Sequence, residues 1–465
     1  MKLLPDGQHN LANIESEGGN VQVFIDPVNT PRERKLRDEI IRRVNAFDVL
    51  TATLRKAFEA LEPAKRADAG VTAVAAPATD VRQPARMAIG GKPDPATHNL
   101  LRTAPLKGRG AASYVRGRFE KTVAEAEDDG WGSVYADADA AAGDDVFAPP
   151  PLRTHVTEER ARSVISRNES PDIGFSQSVN PYRGCEHGCV YCFARPSHAY
   201  LDLSPGLDFE TKLFAKTNAA ERLRAELAKP AYRCSPIALG INTDAYQPIE
   251  RKYRITRQLL EVLAETRHPV SLITKSGLIR RDLDLLAPMA KDGLVTVYVS
   301  ITSLDNRLSS KLEPRAAAPH TRLKTVQALH EAGVPVGTMV APIIPMVTDR
   351  ELEAILEAAY AHGARAAGYV LLRLPHELKQ VWREWLELHV PDRAAHVMSL
   401  VQQMRGGKDY DSHFGTRMRG EGPFADLIAM RFAKARKRLG FPGLPPLRSD
   451  LFRPPKVDSP QGDLF

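Results

Sequence analysis

The chain has 465 residues, of which 43% are hydrophobic and 26% charged, enough for one large folded domain with appendages. No run of 18 or more apolar residues occurs, so no membrane span is expected, and four cysteines do not make a disulfide framework, which points to a reducing cytoplasm. A net charge of +7 and a pI near 9.1 favour an anionic partner without naming one.

In chain order, the start "MKLLPDGQHN" turns polar at Pro5 and lacks the apolar stretch of a secretory signal. Residues 34–61 place Ile40, Ile41, Val44, Phe47, Leu50, Leu54, Phe58 and Leu61 at helical spacing. That predicts one amphipathic helix within an N-terminal extension, 1–62. From residue 62 to about 105 the chain is rich in Ala, Pro and Gly without a period, and reads as a linker. "KGRGAASYVRGRFE" (107–120) is basic and Gly-rich, and "DDGWGSVY" (128–135) sets an aromatic among glycines. Within the segment 63–155 these are read as a strap across the main domain, the alternative being a nucleic-acid-binding arm.

Between residues 156 and about 400, short apolar runs alternate with helical patterns. The runs at 236–242, 269–274, 294–300, 334–341 and 366–372 predict buried parallel strands. Helical patterns lie between them at 255–264, 278–290, 320–332 and 350–362. With one more strand before Cys185, the prediction is an α/β fold, a partial (β/α)6 TIM-like barrel, about two units short of closure. Chemistry in such folds collects at the C-terminal ends of the strands, where Asn242, Thr243, Asp244, Lys275 and Ser300 fall. A helical part follows, 401–441, whose basic end (Lys434, Arg436, Lys437, Arg438) suits a helix C-terminus. Residues 442–465, Pro-rich and polar, are expected to form a disordered tail.

The stretch "NPYRGCEHGCVYCFARP" (180–196) holds Cys185, Cys189 and Cys192, while Cys234 lies far downstream. Three kinds of site suit such a loop. A structural zinc could be closed by His187 or His198. A ferredoxin-type cluster would take Cys234 as its fourth thiolate. A cubane 4Fe–4S cluster on three thiolates would leave one iron open. Residue types leave all three standing.

The pattern C-x-x-x-C-x-φ-C, with Tyr191 before the last cysteine, resembles the signature of the radical S-adenosylmethionine (radical SAM) superfamily, whose fold is also a partial barrel. The resemblance implies a 4Fe–4S cluster on Cys185, Cys189 and Cys192, with S-adenosylmethionine chelated at the open iron. An external electron donor would then drive its cleavage to methionine and a 5′-deoxyadenosyl radical, which takes a hydrogen atom from substrate. Within the superfamily, "INTDAYQPIER", "ITKSGL", "YVSITSLD", "EPRAAAPHTRL" and "GVPVGTMVAPIIP" resemble the spore photoproduct lyase group. The resemblance makes Tyr191, Asn242, Thr243, Lys275, Ser300 and Arg315 contacts to S-adenosylmethionine, with Glu313 a further candidate. A lysine and hydroxyls at strand mouths suit a carboxylate, an amine and ribose oxygens. Capping by Thr243 and Ser300, with a solvated Lys275, is the plainer account.

One departure stands out: the lyase group's cysteine hydrogen-atom donor is replaced here by Ile241. Cys234, seven residues earlier, should point to the far end of the barrel, so no catalytic residue is assigned. The fuller motif N-P-Y-R-G-C-x-H-G-C-x-Y-C resembles a bacterial subgroup whose substrate the residues do not reveal. His198 and Tyr200 are expected either to face substrate or to pack. At the end, "QGDLF" resembles the pentapeptide by which bacterial DNA-processing proteins dock on the replication sliding clamp, with Gln461, Leu464 and Phe465 as its contacts. The expectation is a cytoplasmic radical SAM enzyme acting on nucleic acid, in DNA repair or base modification. Radical chemistry on a protein or small molecule, and a non-catalytic, metal-stapled adaptor, are the alternatives.

Overall fold

A computed structural model describes residues 108–120 and 152–455 in full and, nearer the N-terminus, three strands. The predicted helix over 34–61, the "DDGWGSVY" segment and the QGDLF peptide lie outside the described residues. The chain divides into two compact units, Met1–Gly91 and Lys92–Phe465. In the first, β1 (Lys2–Pro5), β2 (Leu11–Ser16) and β3 (Gly19–Phe24) form an antiparallel sheet in that order, with Leu11 opposite Phe24 and Ser16 opposite Gly19. No strands are expected here from the sequence. Their signal is the Gly18-Gly19 pair between two short apolar-polar runs.

The second unit is built on a seven-stranded sheet. Its strands are β5 (Ile165–Arg167), β6 (Gln177–Val179), β9 (Ile237–Leu239), β10 (Val270–Thr274), β11 (Val295–Ser300), β12 (Val336–Ile343) and β13 (Ala366–Leu371). β6, β9, β10, β11, β12 and β13 run parallel in chain order, and β5 adds an antiparallel edge to β6. Chain order equal to spatial order is what successive right-handed β/α crossovers produce. The strands are short, β-branched and mostly buried, as in β11, where "VTVYVS" is buried at all but Tyr298. A second, three-stranded sheet sets β4 (His155–Glu159) parallel to β8 (Lys212–Lys216) and β7 (Tyr182–Arg183) antiparallel to β8.

The α-helices of seven residues or more among the described residues are α1 (Ala219–Leu227), α2 (Ile255–Glu265), α3 (Leu283–Lys291), α4 (Asn306–Leu312), α5 (Pro319–Glu331), α6 (Leu352–Ala361), α7 (Leu378–His389), α8 (Pro391–Gln403) and α9 (Gly422–Leu439). Each longer one buries a single stripe: Ile255, Leu259, Leu260, Val262 and Leu263 on α2, and Val381, Trp382, Trp385 and Leu386 on α7. The predicted barrel strands and helices are thus present with most boundaries moved by one or two residues; the strand expected at 236–242 ends at Leu239, and the helix expected at 278–290 begins at Leu283. No helix among the described residues is long and apolar enough to cross a membrane.

Residues 108–115, expected as part of the strap, lie in the barrel unit and run across its cysteine loop. Two expectations about organisation change. The expected division at 400/401 falls inside α8. The tail expected to be disordered from 442 is docked as far as 455. The amides of Gly443, Arg448 and Arg453 donate to the carbonyls of Arg365, Gly293 and Thr266, at 2.9, 3.0 and 2.8 Å. Phe452 packs edge-on against His268 and Tyr232, with centroids 5.2 and 5.5 Å away. Those carbonyls follow helices just before β13, β11 and β10, so the tail crosses the N-terminal ends of the strands. An extended segment bonded to loop carbonyls leaves no hydrophobic period, which is why composition read it as disorder.

Phe452→Ala should therefore destabilise the chain by about 1–3 kcal/mol, below the cost of truncating a fully buried phenylalanine. An unchanged denaturant midpoint would mean that the tail does not hold the barrel's lower end.

Candidate active site

The cysteine loop follows β6 and β7 at the C-terminal ends of the barrel strands, and two glycines with positive φ, Gly184 (73°) and Gly188 (67°), turn it. Its backbone is anchored on every side. Cys185 N donates to Phe209 O at 2.9 Å, and Val190 N donates to Leu312 O at 3.0 Å. Gln247, wholly buried, accepts from Glu186 N at 2.8 Å and donates to Gly184 O at 3.0 Å.

At the loop's centre lies a fully buried ion pair. Arg195 donates to Glu210, to Cys189 O at 2.9 Å, to Gly188 O at 3.2 Å and to Gly206 O at 2.8 Å. Glu210 also accepts the amides of Gly110 and Ala111, at 2.9 and 2.8 Å, and so fastens the strap onto the loop. Arg109, 8% exposed, donates to the Glu210 carbonyl at 3.0 Å and the Leu152 carbonyl at 2.7 Å. Contact is tight enough that a Cβ on Gly110 would sit 1.8 Å from Gly188 O. Only glycine fits there.

Two buried carboxylates organise the strand ends. Asp244, past β9, accepts from Thr274 Oγ1 and Lys275 N, each at 2.7 Å, and lies 3.3 Å from His187 Nδ1. Burial would raise its pKa, but His187 and these donors hold it near 2. Glu313 accepts from Tyr191 Oη, from Thr302 Oγ1 at 2.7 Å and from the buried Arg322, while Lys275 Nζ stands 3.8 Å away. Burial again opposes ionisation, and Arg322 and Lys275 outweigh it, leaving Glu313 at about 2. Lys275 Nζ is also 5.8 Å from the Tyr191 ring and 3.4 Å from Ala341 O.

The predicted site residues divide accordingly. Tyr191 and Lys275 come together around Glu313. Asn242 is exposed at the mouth, its amide nitrogen bonded to Asn180 Oδ1 at 2.8 Å. Thr243 is buried and its hydroxyl faces Tyr182 O at 3.3 Å. Ser300 is buried at the end of β11, where its carbonyl accepts from Arg322 at 3.2 Å. Arg315 reaches sideways to Glu186 at 2.9 Å, and its amide holds His187 O at 3.2 Å. His198 packs against Phe209 and bonds Lys212 O at 3.0 Å, whereas Tyr200 is 71% exposed. Cys234 precedes β9, at the opposite end of the strands. Arg195, Glu210, Gln247 and Arg322 were not foreseen. Arg195 had one signal, a lone charge three residues past Cys192 in "CFAR", but Glu210 and Gln247 had none.

Three thiols on one loop are a donor set for a 4Fe–4S cube. Cys185 and Cys189 are buried, Cys192 is partly exposed, and the three bear on one another electrostatically. No three His, Cys, Asp or Glu side chains among the described residues close on a point as ligands of a single ion do. A cube asks for one thiolate per iron, so its ligands surround it without meeting. Burial pushes all three thiols up, and Lys275 pulls against it at Cys189 and Cys192, joined by Arg322 at the first and Arg195 at the second. Those cations favour the thiolate that ligation requires.

The model of the radical SAM superfamily matches residues 179–359. An uncharacterised protein of Mycobacterium tuberculosis is 38% identical over 233 residues, which are 50% of this chain and 68% of that one. Another, from Methanocaldococcus jannaschii, is 26% identical over 199 residues, 43% of this chain and 71% of the other. Among solved structures, spore photoproduct lyase complexed with dinucleoside spore photoproduct aligns with a TM-score of 0.47 at 15% identity, over 62% of this chain and 80% of the lyase.

Glu210→Gln would leave the Arg195 guanidinium buried without its counter-charge, and should cost about 3–5 kcal/mol in denaturant unfolding. A loss under about 1 kcal/mol would contradict the central role given to this pair. Glu313 titrates below its ordinary 4.5 when folded, so it adds stability above that pH and loses it as the pH falls toward about 2. The stability gap between wild type and Glu313→Gln should therefore narrow across that window. Parallel stability curves would contradict the assignment.

Proposed function

Because the chain belongs to the radical SAM superfamily, we propose that it uses a 4Fe–4S cluster on Cys185, Cys189 and Cys192 to cleave S-adenosylmethionine, and that its substrate is nucleic acid, in a lyase-like repair or base-modification reaction. The observation that carries this reading is one loop offering three thiols, with Lys275, Arg322 and Arg195 placed to favour their thiolate forms.

Cys185, Cys189 and Cys192 would hold the cluster, which would bind the amino and carboxylate groups of S-adenosylmethionine and supply the electron that opens its sulfonium. The chain's residues do the positioning. Arg195 and Glu210 fix the loop backbone, so the three sulfurs are pre-set. Lys275 sets an ammonium at the mouth, near enough to Glu313 to be held and partly exposed, as a carboxylate-binding cation should be. Asn242 is exposed at the same end of the strands, where Thr243 and Ser300 are buried.

Support for a nucleic-acid substrate is the basic pI, the sequence resemblance to the lyase group and the terminal QGDLF, proposed to dock on a sliding clamp. The hydrogen-return step differs from that group's. Ile241 stands at its cysteine position, and Cys234 lies at the far end of the strands, beside Ser449.

Anaerobic reconstitution with iron and sulfide, then dithionite and S-adenosylmethionine, should yield 5′-deoxyadenosine, and Cys189→Ala should abolish it. One equivalent of zinc with no product would favour the adaptor instead. Product formed without salt-dependent binding to DNA or RNA would move the substrate to a protein or small molecule.

A further inference from the structure

Arg373 lies two residues past β13, at the mouth of the last barrel strand. Its guanidinium stacks over the ring of Phe193, 5.2 Å from the centroid, and Phe193 follows Cys192 and is 41% exposed. Among the described residues no carboxylate pairs with it: its Nη atoms reach Met418 Sδ and Tyr410 Oη, both at 3.3 Å, and its buried Nε has no partner. Behind it Arg405, 2% exposed, donates to the Leu372 and Thr416 carbonyls and likewise leaves Nε unpartnered. Asp411 and Glu421 bear on Arg405, yet neither forms an ion pair with it or with Arg373. Two half-satisfied guanidiniums in one wall are costly until an anion completes them.

A second set of cations is joined to the same loop through α4, whose Leu312 carbonyl accepts from Val190 N and whose Arg307, Leu308 and Lys311 line a cleft of about 350 Å³. Arg307, Lys311, Arg350 and Arg393 line it, and none is paired with a carboxylate among the described residues. Two acids share the cleft, Asp305 and Asp392, of which Asp305 is committed to capping α4. Elsewhere in the unit, arginines such as Arg257, Arg281, Arg417 and Arg431 are paired.

We propose that the rim of the cysteine loop is a phosphate-binding surface for a nucleic-acid strand, with Arg373 on one flank and Arg307, Lys311, Arg350 and Arg393 on the other. This rests on the reading of the chain as a nucleic-acid enzyme and adds the residues that hold the strand. One phosphorylated metabolite would use one flank, whereas a phosphodiester chain presents charge to both. The exposed Phe193 beside Arg373 suits a base, since unstacked bases rest on aromatic rings and guanidinium planes.

The test is fluorescence titration of the reconstituted full chain with a short labelled single strand of DNA, and of RNA, across a salt series. Iron content and S-adenosylmethionine cleavage are read separately, so a chain inert in cleavage still reports on this surface. Arg373→Gln should weaken binding about tenfold or more and reduce the salt slope by about one. The double variant Arg307→Gln with Arg393→Gln should reduce the slope by about two. Arg438→Gln, on α9 and paired with Glu357, should change neither beyond the loss of general charge. Unchanged thermal midpoints separate lost binding from lost folding, and Arg373→Lys should keep the slope while binding less tightly. The inference is overturned if the wild type binds neither strand, or if the rim variants bind as wild type does. It is equally overturned if polyglutamate binds as well and is weakened by the same variants, which would assign the surface to an acidic polypeptide.

Discussion

The pair formed by Arg195 and Glu210 is the constraint on which the rest of the site depends. Each charge, taken alone, would cost several kcal/mol to bury. Here both are saturated: Glu210 takes two strap amides and the guanidinium, and Arg195 spends its remaining donors on carbonyls of the cysteine loop and of Pro205 and Gly206. Charges so satisfied specify geometry more than they add stability. The loop can adopt one path only, since another would strand a buried donor. Gly110 and Gly188 follow from the same constraint, because side chains there would collide with the Gly188 carbonyl and with the Glu210 carboxylate.

Around that knot the barrel mouth is electrostatically set. Asp244 ties the ends of β9 and β10 to His187, and Glu313 ties Tyr191 in the cysteine loop to Thr302 past β11 and to Arg322 on α5. Both stay ionised far below neutral pH, so the cations facing Glu313, Lys275 and Arg322, are held in place over the whole working range. Lys275 is the one of these with a partly exposed head. It links the buried network to whatever occupies the mouth.

The barrel was legible because its signals are local. Strands such as "VTVYVS" and "PVSLIT" are short, β-branched and doubly buried, and amphipathic stripes separate them, so strand and helix could be told apart from period and length. The three cysteines were legible for a similar reason, all lying within eight positions. What stayed hidden depends on distance along the chain. Glu210 meets Gly110 across 100 residues, and nothing near "DFETKLF" marks that carboxylate as the strap's anchor. The docked tail at 442–455 has polar, Pro-rich composition because its amides, and few of its side chains, make the contacts. Arg315 shows a contact that position along the chain does not reveal: its guanidinium reaches Glu186 and its amide supports the loop.

The central claim is that three thiolates hold a cube with one iron left for S-adenosylmethionine. Electron paramagnetic resonance of the anaerobically reconstituted, dithionite-reduced chain, before and after adding S-adenosylmethionine, tests it most directly. The account predicts four irons per chain and a reduced-cluster signal whose g-values shift when S-adenosylmethionine binds. A spectrum indifferent to S-adenosylmethionine, or a chain that takes up a single metal ion, would contradict it.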